Sequence, residues 1–186
     1  MSRLDQLVQS YRRHAGIPLK QNVTIAERTW FVVYSPDEER RLRSRIAEFE
    51  IATKDCLLLW QEIDLTGSFC RWLDSMDDAE ERAAAIAMPS IVEDYADPGF
   101  RDYLAETIRR AVAAASAADA DRTVFAITGL MELYDFIHVS QVMDALGKSV
   151  RGVLLLFFPG EREENTYRFL GARTGWDYLA TPITAE

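Results

Sequence analysis

The chain has few of the residues that build disulfide scaffolds and metal centres. It contains two cysteines and two histidines in 186 residues. Two cysteines are too few for a disulfide framework. Neither His14 nor His138 has a second histidine or a cysteine at helical spacing, so a zinc site of the usual pattern is excluded. Because Cys56 and Cys70 sit among apolar neighbours, we expect both to be buried free thiols.

Long hydrophobic runs are also lacking. No apolar run reaches the roughly 18 residues that a membrane span needs. The start of the chain, Met1-Ser2-Arg3, leads into a polar helical pattern rather than the apolar core of a signal peptide. The sequence therefore predicts a soluble, cytoplasmic protein without a membrane anchor.

Positive charge is in deficit. Lys and Arg number 21 against 30 Asp and Glu, which gives a formal net charge of −9. A surface of this sign repels nucleic-acid phosphates, so we expect no tight DNA binding by the protein alone. One alternative stays open, a nucleic-acid-binding accessory subunit that uses the N-terminal helix, because the first twenty residues carry Arg3, Arg12, Arg13 and Lys20 against one acid, Asp5.

Glycine-rich phosphate loops are absent as well. No G-x-G-x-x-G occurs, and Gly147-Lys148-Ser149 only resembles the end of a P-loop. The glycine that a P-loop needs five residues earlier is replaced by Val142, and the order of elements is helix, motif, strand. Gly147 is better interpreted as the C-cap of a helix. A degenerate nucleotide-binding protein is the second alternative.

No set of catalytic residues stands out. There is no G-x-S-x-G elbow, and His138 lies within a predicted helix without a clearly placed serine or cysteine. Glu62, Asp64 and Glu132 are acids near strand ends, where carboxylates are able to hold magnesium, but they serve more simply as helix caps. We therefore expect no catalytic residue, metal or cofactor, and interpret the chain as a non-enzyme.

What the sequence does contain is an alternation of buried strands and helices. Apolar runs predict strands at 28–34, 56–64, 123–127 and 152–158. Helical patterns occupy 4–15, 35–52 and most of 66–118, where Phe100, Leu104, Ile108 and Val112 recur every four residues. Tyr167–Leu170 is predicted to begin a short helix, and Trp176–Ile183 a last edge strand.

This alternation predicts an α/β fold. We expect a single three-layer domain over residues 1–186, with a mostly parallel sheet of four or five strands. A long helical crossover insert, at about 66–118, joins the second strand to the third. A strand-helix-strand unit then follows from Thr123 to Phe158.

The carboxyl ends of parallel strands are where such folds place their binding loops. Thr128-Gly129 and Pro159-Gly160 both fall at that edge, and the helical insert offers a second aromatic surface. Tyrosine, phenylalanine and arginine are residue types that anchor protein interfaces. The candidate partner-binding residues are therefore Thr128, Gly129, Glu132, Tyr134, Phe158, Pro159, Gly160 and Arg162, with Tyr95, Phe100 and Tyr103 on the insert.

A combination of segments carries a family resemblance. The segments are TGLMELYDFIHVSQVMDAL, LLLFFPG, YRFLG and WDYLA, preceded by FVVYSPDEERRLRSRI and EIDL. Together they resemble the BrxB family of BREX systems, which defend bacteria against phage. The family pattern is Thr-Gly-x-Gly-Glu-Leu-Tyr-Pro-Phe-x-Arg-Val, followed by a Tyr-Pro-Gly end on the next strand and a C-terminal Tyr-rich piece. The matching positions are Thr128, Gly129, Glu132, Leu133, Tyr134, Phe136, Val139, Pro159 and Gly160.

The resemblance also has departures and implications. Met131 replaces the family's second glycine, Asp135 its proline and His138 its arginine. The resemblance implies a non-enzymatic component that works beside the alkaline-phosphatase-like PglZ protein and a DNA methyltransferase. It implies a PglZ-like partner, and possible further BREX partners, without naming a reaction or an oligomeric state.

Overall fold

The structure is a computed structural model. It describes residues 1–19, 24–87, 98–115, 118–133, 139, 150–163, 166–170 and 180–185. The helices of this part of the chain are α1 (Arg3–Ala15), α2 (Glu39–Arg43), α3 (Ile46–Asp55), α4 (Ser68–Asp74), α5 (Ala79–Ala87) and α6 (Pro98–Ala113). Its strands are β1 (Thr29–Tyr34), β2 (Leu59–Asp64), β3 (Thr123–Thr128), β4 (Val153–Glu163), β5 (Thr166–Phe169) and β6 (Thr181–Ile183).

The strands form one mostly parallel sheet, as the sequence predicts. Their order is β2-β3-β4-β1-β6, and every neighbouring pair in this order is parallel. The predicted edge strand near the end of the chain is confirmed as β6, which pairs with β1. The predicted count of four or five strands misses β5, which pairs antiparallel with the end of β4.

The sheet is central because its middle strands are apolar along their length. β1 and β3 are buried at every position, and β4 is buried from Val153 to Gly160. Strands that are buried on both faces read as continuous hydrophobic runs. This is why the sequence locates all three strands, although it predicts that the strand at 152–158 stops at Pro159-Gly160 and β4 continues through both residues to Glu163.

Helices cover both faces of the sheet. One face holds Phe31, Phe125 and Phe158 and is packed by α6 through Leu104 and Ile108. The opposite face is packed by α1 and α3, whose largest buried side chains are Tyr11 and Phe49. The three-layer α/β architecture predicted from the sequence is thereby confirmed.

The predicted crossover insert between the second and third strands is helical in its described part. It contains α4, α5 and α6, and the stripe of Phe100, Leu104, Ile108 and Val112 is buried, at 2%, 1%, 0% and 8% exposure. The predicted helix between β3 and β4 has Glu132 in its first turn and Gly147 as its C-cap. Its described start, Leu130–Leu133, is a 3₁₀ turn, and the rest lies outside the described residues except for Val139. Val139 is helical and fully buried.

Two local predictions are wrong. Tyr167–Leu170 does not begin a helix. Tyr167 and Phe169 are both buried while the residues beside them in β5 are less so, which is the alternation of a strand, and the backbone pairs with β4. The thiols are free but not both buried: Cys70 is exposed and Cys56 is half-buried. On α4 the buried positions are Ser68 and Trp72, and Cys70 falls between them on the solvent side.

Candidate functional site

The loops after β2 and β3 meet at the carboxyl edge of the sheet. Leu65 N–H donates to the Thr128 carbonyl at 3.0 Å, which continues the strand pairing into the loops. Thr66 folds back on the end of β2, where its N–H and hydroxyl donate to Asp64 Oδ1 at 2.9 and 2.6 Å. The loops after β2 and β3, which are far apart in sequence, are thus in contact through polar groups.

Gly129 makes this approach possible. Its φ is +74°, a left-handed conformation that side-chain-bearing residues rarely adopt. A Cβ at this position would lie 2.6 Å from Thr66 N and 2.8 Å from Thr66 Oγ1. The Thr-Gly pair singled out in the sequence therefore serves a close contact between loops as well as a sharp turn.

Two carboxylates link the same loops. Glu132 lies in a 3₁₀ turn, Leu130–Leu133, and its Oε2 accepts the N–H of Gly67 at 2.9 Å. Gly67 is the N-cap residue of α4, so the carboxylate satisfies a donor at the start of that helix. The Thr128 hydroxyl donates to Glu62 Oε1 at 3.1 Å. Sequence reasoning placed Glu132 at the first turn after β3 and missed its partner on the other loop.

Arginines complete the cluster. Arg43 donates to Thr66 Oγ1 and lies 3.5 Å from Asp64 Oδ2, while Arg71 Nη1 donates to the Thr66 carbonyl at 2.6 Å. Partial burial acts to raise the pKa of Asp64. The hydrogen bonds from Thr66 and the charge of Arg43 outweigh it, so the pKa lies below its usual value. No sequence pattern pointed to Arg43 or Arg71.

The three acids considered for magnesium are occupied by protein donors. Glu62, Asp64 and Glu132 each accept a hydrogen bond from within the chain. Over the described residues, no group of three or more His, Cys, Asp or Glu side chains is arranged to hold a metal ion. These carboxylates hold the ends of β2 and β3 and the loops that follow them in place. His138 and the 147–149 motif lie outside the described residues.

Several candidate contact residues at the end of β4 are core residues. Phe158 is fully buried and stacks on Phe31, with ring centroids 5.2 Å apart and planes 8° from parallel. Pro159 and Gly160 are buried as well. A Cβ on Gly160 would lie 2.0 Å from the Arg168 carbonyl oxygen, so the close pairing of β4 with β5 requires glycine there. In this structure these side chains present no surface to a partner.

Of the candidate contact residues on the helical insert, one is buried and one is partly exposed. Phe100 is 2% exposed and packs with Phe69 and Trp72, with ring centroids 5.3 Å apart in both pairs. Tyr103 is half-buried at the edge of the core. Of these two, only Tyr103 presents surface, while Tyr95 lies outside the described residues.

The hairpin of β4 and β5 is a second exposed part of the carboxyl edge, in addition to Asp64, Arg43 and Arg71. Glu161, Arg162 and Glu163 are all exposed, and Arg168 Nη2 lies 2.9 Å from Glu163 Oε2 across the hairpin. Arg162 is therefore a candidate that the structure leaves accessible. Tyr134 falls outside the described residues.

The basic residues of α1 are partly neutralised. Arg12 Nη2 lies 3.2 Å from Asp55 Oδ2, and Arg3 Nε lies 3.9 Å from Glu38 Oε2. Lys20 lies outside the described residues. A helix whose arginines face acids of the same chain offers less attraction to phosphates than its sequence alone indicates.

A cavity of about 860 Å³ opens at the opposite, amino edge of the sheet. His14 and Trp30 line it, with ring centroids 4.4 Å apart and an edge-to-face geometry. Burial lowers the pKa of His14. Arg151, also in the lining, forms two hydrogen bonds to the Asp121 carboxylate at 3.1 and 2.8 Å. The charge of Arg151 is therefore balanced by Asp121.

Fold and site together define an α/β protein whose carboxyl-edge polar groups bind one another. The sequence model of one family, described as BREX protein BrxB, matches residues 63–183, from the end of β2 to β6. This is more than half of the chain, so the chain belongs to the BrxB family. The resemblance seen in the sequence is thereby confirmed, and the chain is a component of a BREX phage-defence system.

The other comparisons add nothing to this identification. No curated protein and no solved structure matches the chain. In the part of the chain that the structure describes, no helix is long and apolar enough to cross a membrane.

Proposed function

We propose that this BREX component is a non-catalytic adaptor that holds a PglZ-like protein in the cytoplasm. It acts as a single domain over residues 1–186 and uses no cofactor. Family membership supports a role among BREX proteins. The adaptor role and the PglZ-like partner are the proposal.

The observation that carries the proposal is the commitment of the carboxyl-edge polar groups to one another. A catalytic acid or base needs a position within reach of a substrate proton. Here Asp64 is held by Thr66 and Arg43, and Glu132 is held by the N-cap of α4. Polar groups that hold the loops after β2 and β3 together make this surface rigid. Many protein-binding surfaces are rigid in the same way, since their backbone moves little when the partner binds.

The binding surface that we assign is the exposed hairpin beside this edge. Arg162 and its neighbours project beyond the buried part of β4. Arginine is enriched at interfaces because its long side chain combines several donors with an apolar stem. Tyr134, which follows the 3₁₀ turn in sequence, and Tyr103 on α6 are the aromatic candidates for the same partner.

The test is co-purification of a PglZ-like protein from the same BREX system with wild type, Arg162→Ala, Tyr134→Ala and Tyr103→Ala. A true anchor should cost about 2 kcal/mol of binding free energy, roughly a thirtyfold loss of affinity. The matched control is Arg122→Ala, which removes an arginine that is also exposed but lies just before β3, at the opposite edge. Circular dichroism checks that each variant is folded.

The outcomes separate the contacts from the role. If all three test variants are folded and bind like wild type, these residues are not the contacts. If wild type captures no PglZ-like partner, the adaptor role itself is refuted.

A further inference from the structure

Leu57 occupies an unusual backbone position. It follows α3, where Leu58 N–H donates to the Thr53 carbonyl at 3.2 Å and Leu57 N–H to the Lys54 carbonyl at 3.0 Å. These two bonds form the Schellman motif, whose left-handed residue is usually glycine. Leu57 fills that position with φ at +61°. A branched side chain there strains the backbone, which glycine would not.

The strain is not offset by burial. Leu57 is 82% exposed, the largest exposed fraction among the large hydrophobic side chains of the described residues. Leu59, two residues later, is also exposed, at 36%. Strained residues persist at sites where their geometry serves a function. A strained and solvated leucine is therefore a reason to look at what lies beside it.

Beside it lies an edge strand. β2 pairs with β3 and, among the described strands, has no neighbour on its other side. Edge strands are usually protected by charged side chains, lysine above all, by proline or by a bulge. The sequence of β2, LWQEID, contains neither lysine nor proline. Its charged side chains, Glu62 and Asp64, are confined to the second half, so the first half, which contains the exposed Leu59, carries no charge.

We infer that β2 is a docking edge for an extended segment of the PglZ-like partner, which adds a strand to the sheet. The inference rests on the proposed function and gives it a second surface. The segment carries apolar side chains against Leu57 and Leu59, and a lysine or arginine toward Glu62. Main-chain hydrogen bonds and alternate side-chain contacts are the usual basis of this mode of recognition.

Charge selects the partner over a second copy of this chain. β2 contains no basic residue. Antiparallel pairing of two β2 strands would set Glu62 or Asp64 opposite another acid or opposite an apolar residue, which is unfavourable. A segment with a base at one end has no such conflict. The net charge of −9 further disfavours self-association.

The decisive variant is Leu57→Gly, because its two expected effects have opposite directions. Glycine relieves the left-handed strain, so the melting temperature should hold or rise by about 2 °C. Loss of the side chain should weaken binding of the purified PglZ-like protein by roughly tenfold. Leu59→Lys, which places a charge on the strand edge, should weaken it at least as much. Ile86→Ala is the control, since Ile86 is 61% exposed on α5.

Hydrogen exchange provides the second readout. Amides of residues 59–64 should gain protection when the partner is added to wild type, and should not with Leu59→Lys. Normal binding by folded Leu57→Gly and Leu59→Lys, together with unchanged exchange of β2, overturns the docking edge and leaves the adaptor role standing. A wild type that captures no partner overturns both. A free dimer that Leu57→Gly dissociates assigns the edge to a second copy and also overturns the inference.

Discussion

Replacing Gly129 with alanine tests the contact on which the candidate site depends. The added Cβ would lie 2.6 Å from Thr66 N, 2.8 Å from Thr66 Oγ1 and 3.0 Å from Asp64 Oδ1. The nearest of these atoms belongs to the backbone, so a rotamer change cannot relieve the overlap. The loop after β3 or the loop after β2 must shift.

Two terms set the size of the effect. A left-handed φ costs about 1 kcal/mol for a residue with a Cβ. Separating the loops also strains or breaks the bonds from Leu65 to Thr128 and from Gly67 to Glu132, each worth about 1 kcal/mol. We expect Gly129→Ala to lower the free energy of unfolding by about 2–4 kcal/mol.

Gly67→Ala is the matched control. Gly67 has nearly the same φ, +68°, but among the described residues an added Cβ would come near only Arg71 Nη1, at 3.5 Å. It should therefore cost about 1 kcal/mol, from the φ alone. The effect of alanine on the unfolded chain is common to both variants and cancels in the comparison.

The assay is urea unfolding of wild type and both variants, monitored by circular dichroism. The free energies are compared on the condition that the three proteins share the same dependence on urea concentration. The free energies of unfolding should differ by roughly 1–3 kcal/mol between the two variants. A Gly129→Ala protein no less stable than Gly67→Ala would refute the close approach of the loops after β2 and β3.

Four further predictions address stability and binding. Tyr11→Phe should lower the free energy of unfolding by about 1 kcal/mol in urea melts, because it removes a buried hydrogen bond of 2.5 Å between the Tyr11 and Thr53 hydroxyls. The pKa of His14 is lower in the folded protein than in the unfolded chain, so the unfolded chain binds a proton at this histidine more readily. The free energy of unfolding should therefore fall as pH drops below about 6.5. Melting temperatures at pH 7.5 and 5 should show this loss in wild type and a smaller loss in His14→Phe; equal losses would contradict it. Calorimetry with Mg-ATP should give no binding heat at micromolar protein, because Val142 stands where a P-loop needs glycine; submicromolar binding that Lys148→Ala abolishes would overturn this. Duplex DNA should bind weakly, without sequence preference and with steep salt dependence, and nanomolar binding at physiological salt would show that the charge argument was misapplied.

The fold was predictable where burial is continuous. β1, β3 and β4 are apolar on both faces, so their sequences mark them without reference to any partner strand. The stripe from Phe100 to Val112 identified α6 for the same reason, because one buried face repeats at the helical period. β5 was missed because, over four residues, the helical period of 3.6 and the strand period of 2 cannot be distinguished.

The residues of the site were predictable in part, but the contacts between its two loops were not. Thr128, Gly129 and Glu132 were singled out from their place at and after the end of β3, and Glu62 and Asp64 from the end of β2. The residues after β2 that contact the β3 loop were missed. Nothing in the periodicity of Thr66 or Gly67 signals a contact across that distance. Aromatic type was likewise a poor guide at Phe158, because stacking in a core and anchoring an interface use the same residue.

The strand order has a consequence for synthesis. β1 is made early, but both of its neighbours, β4 and β6, begin only at Val153 and Thr181. At about 5–20 residues per second, the nascent β1 waits roughly ten seconds on the ribosome without a partner strand. Its sequence TWFVVY is apolar and unprotected through that interval. An apolar strand without its neighbours is prone to aggregation, so slowed translation between residues 34 and 153 would lengthen the time that β1 spends in this state.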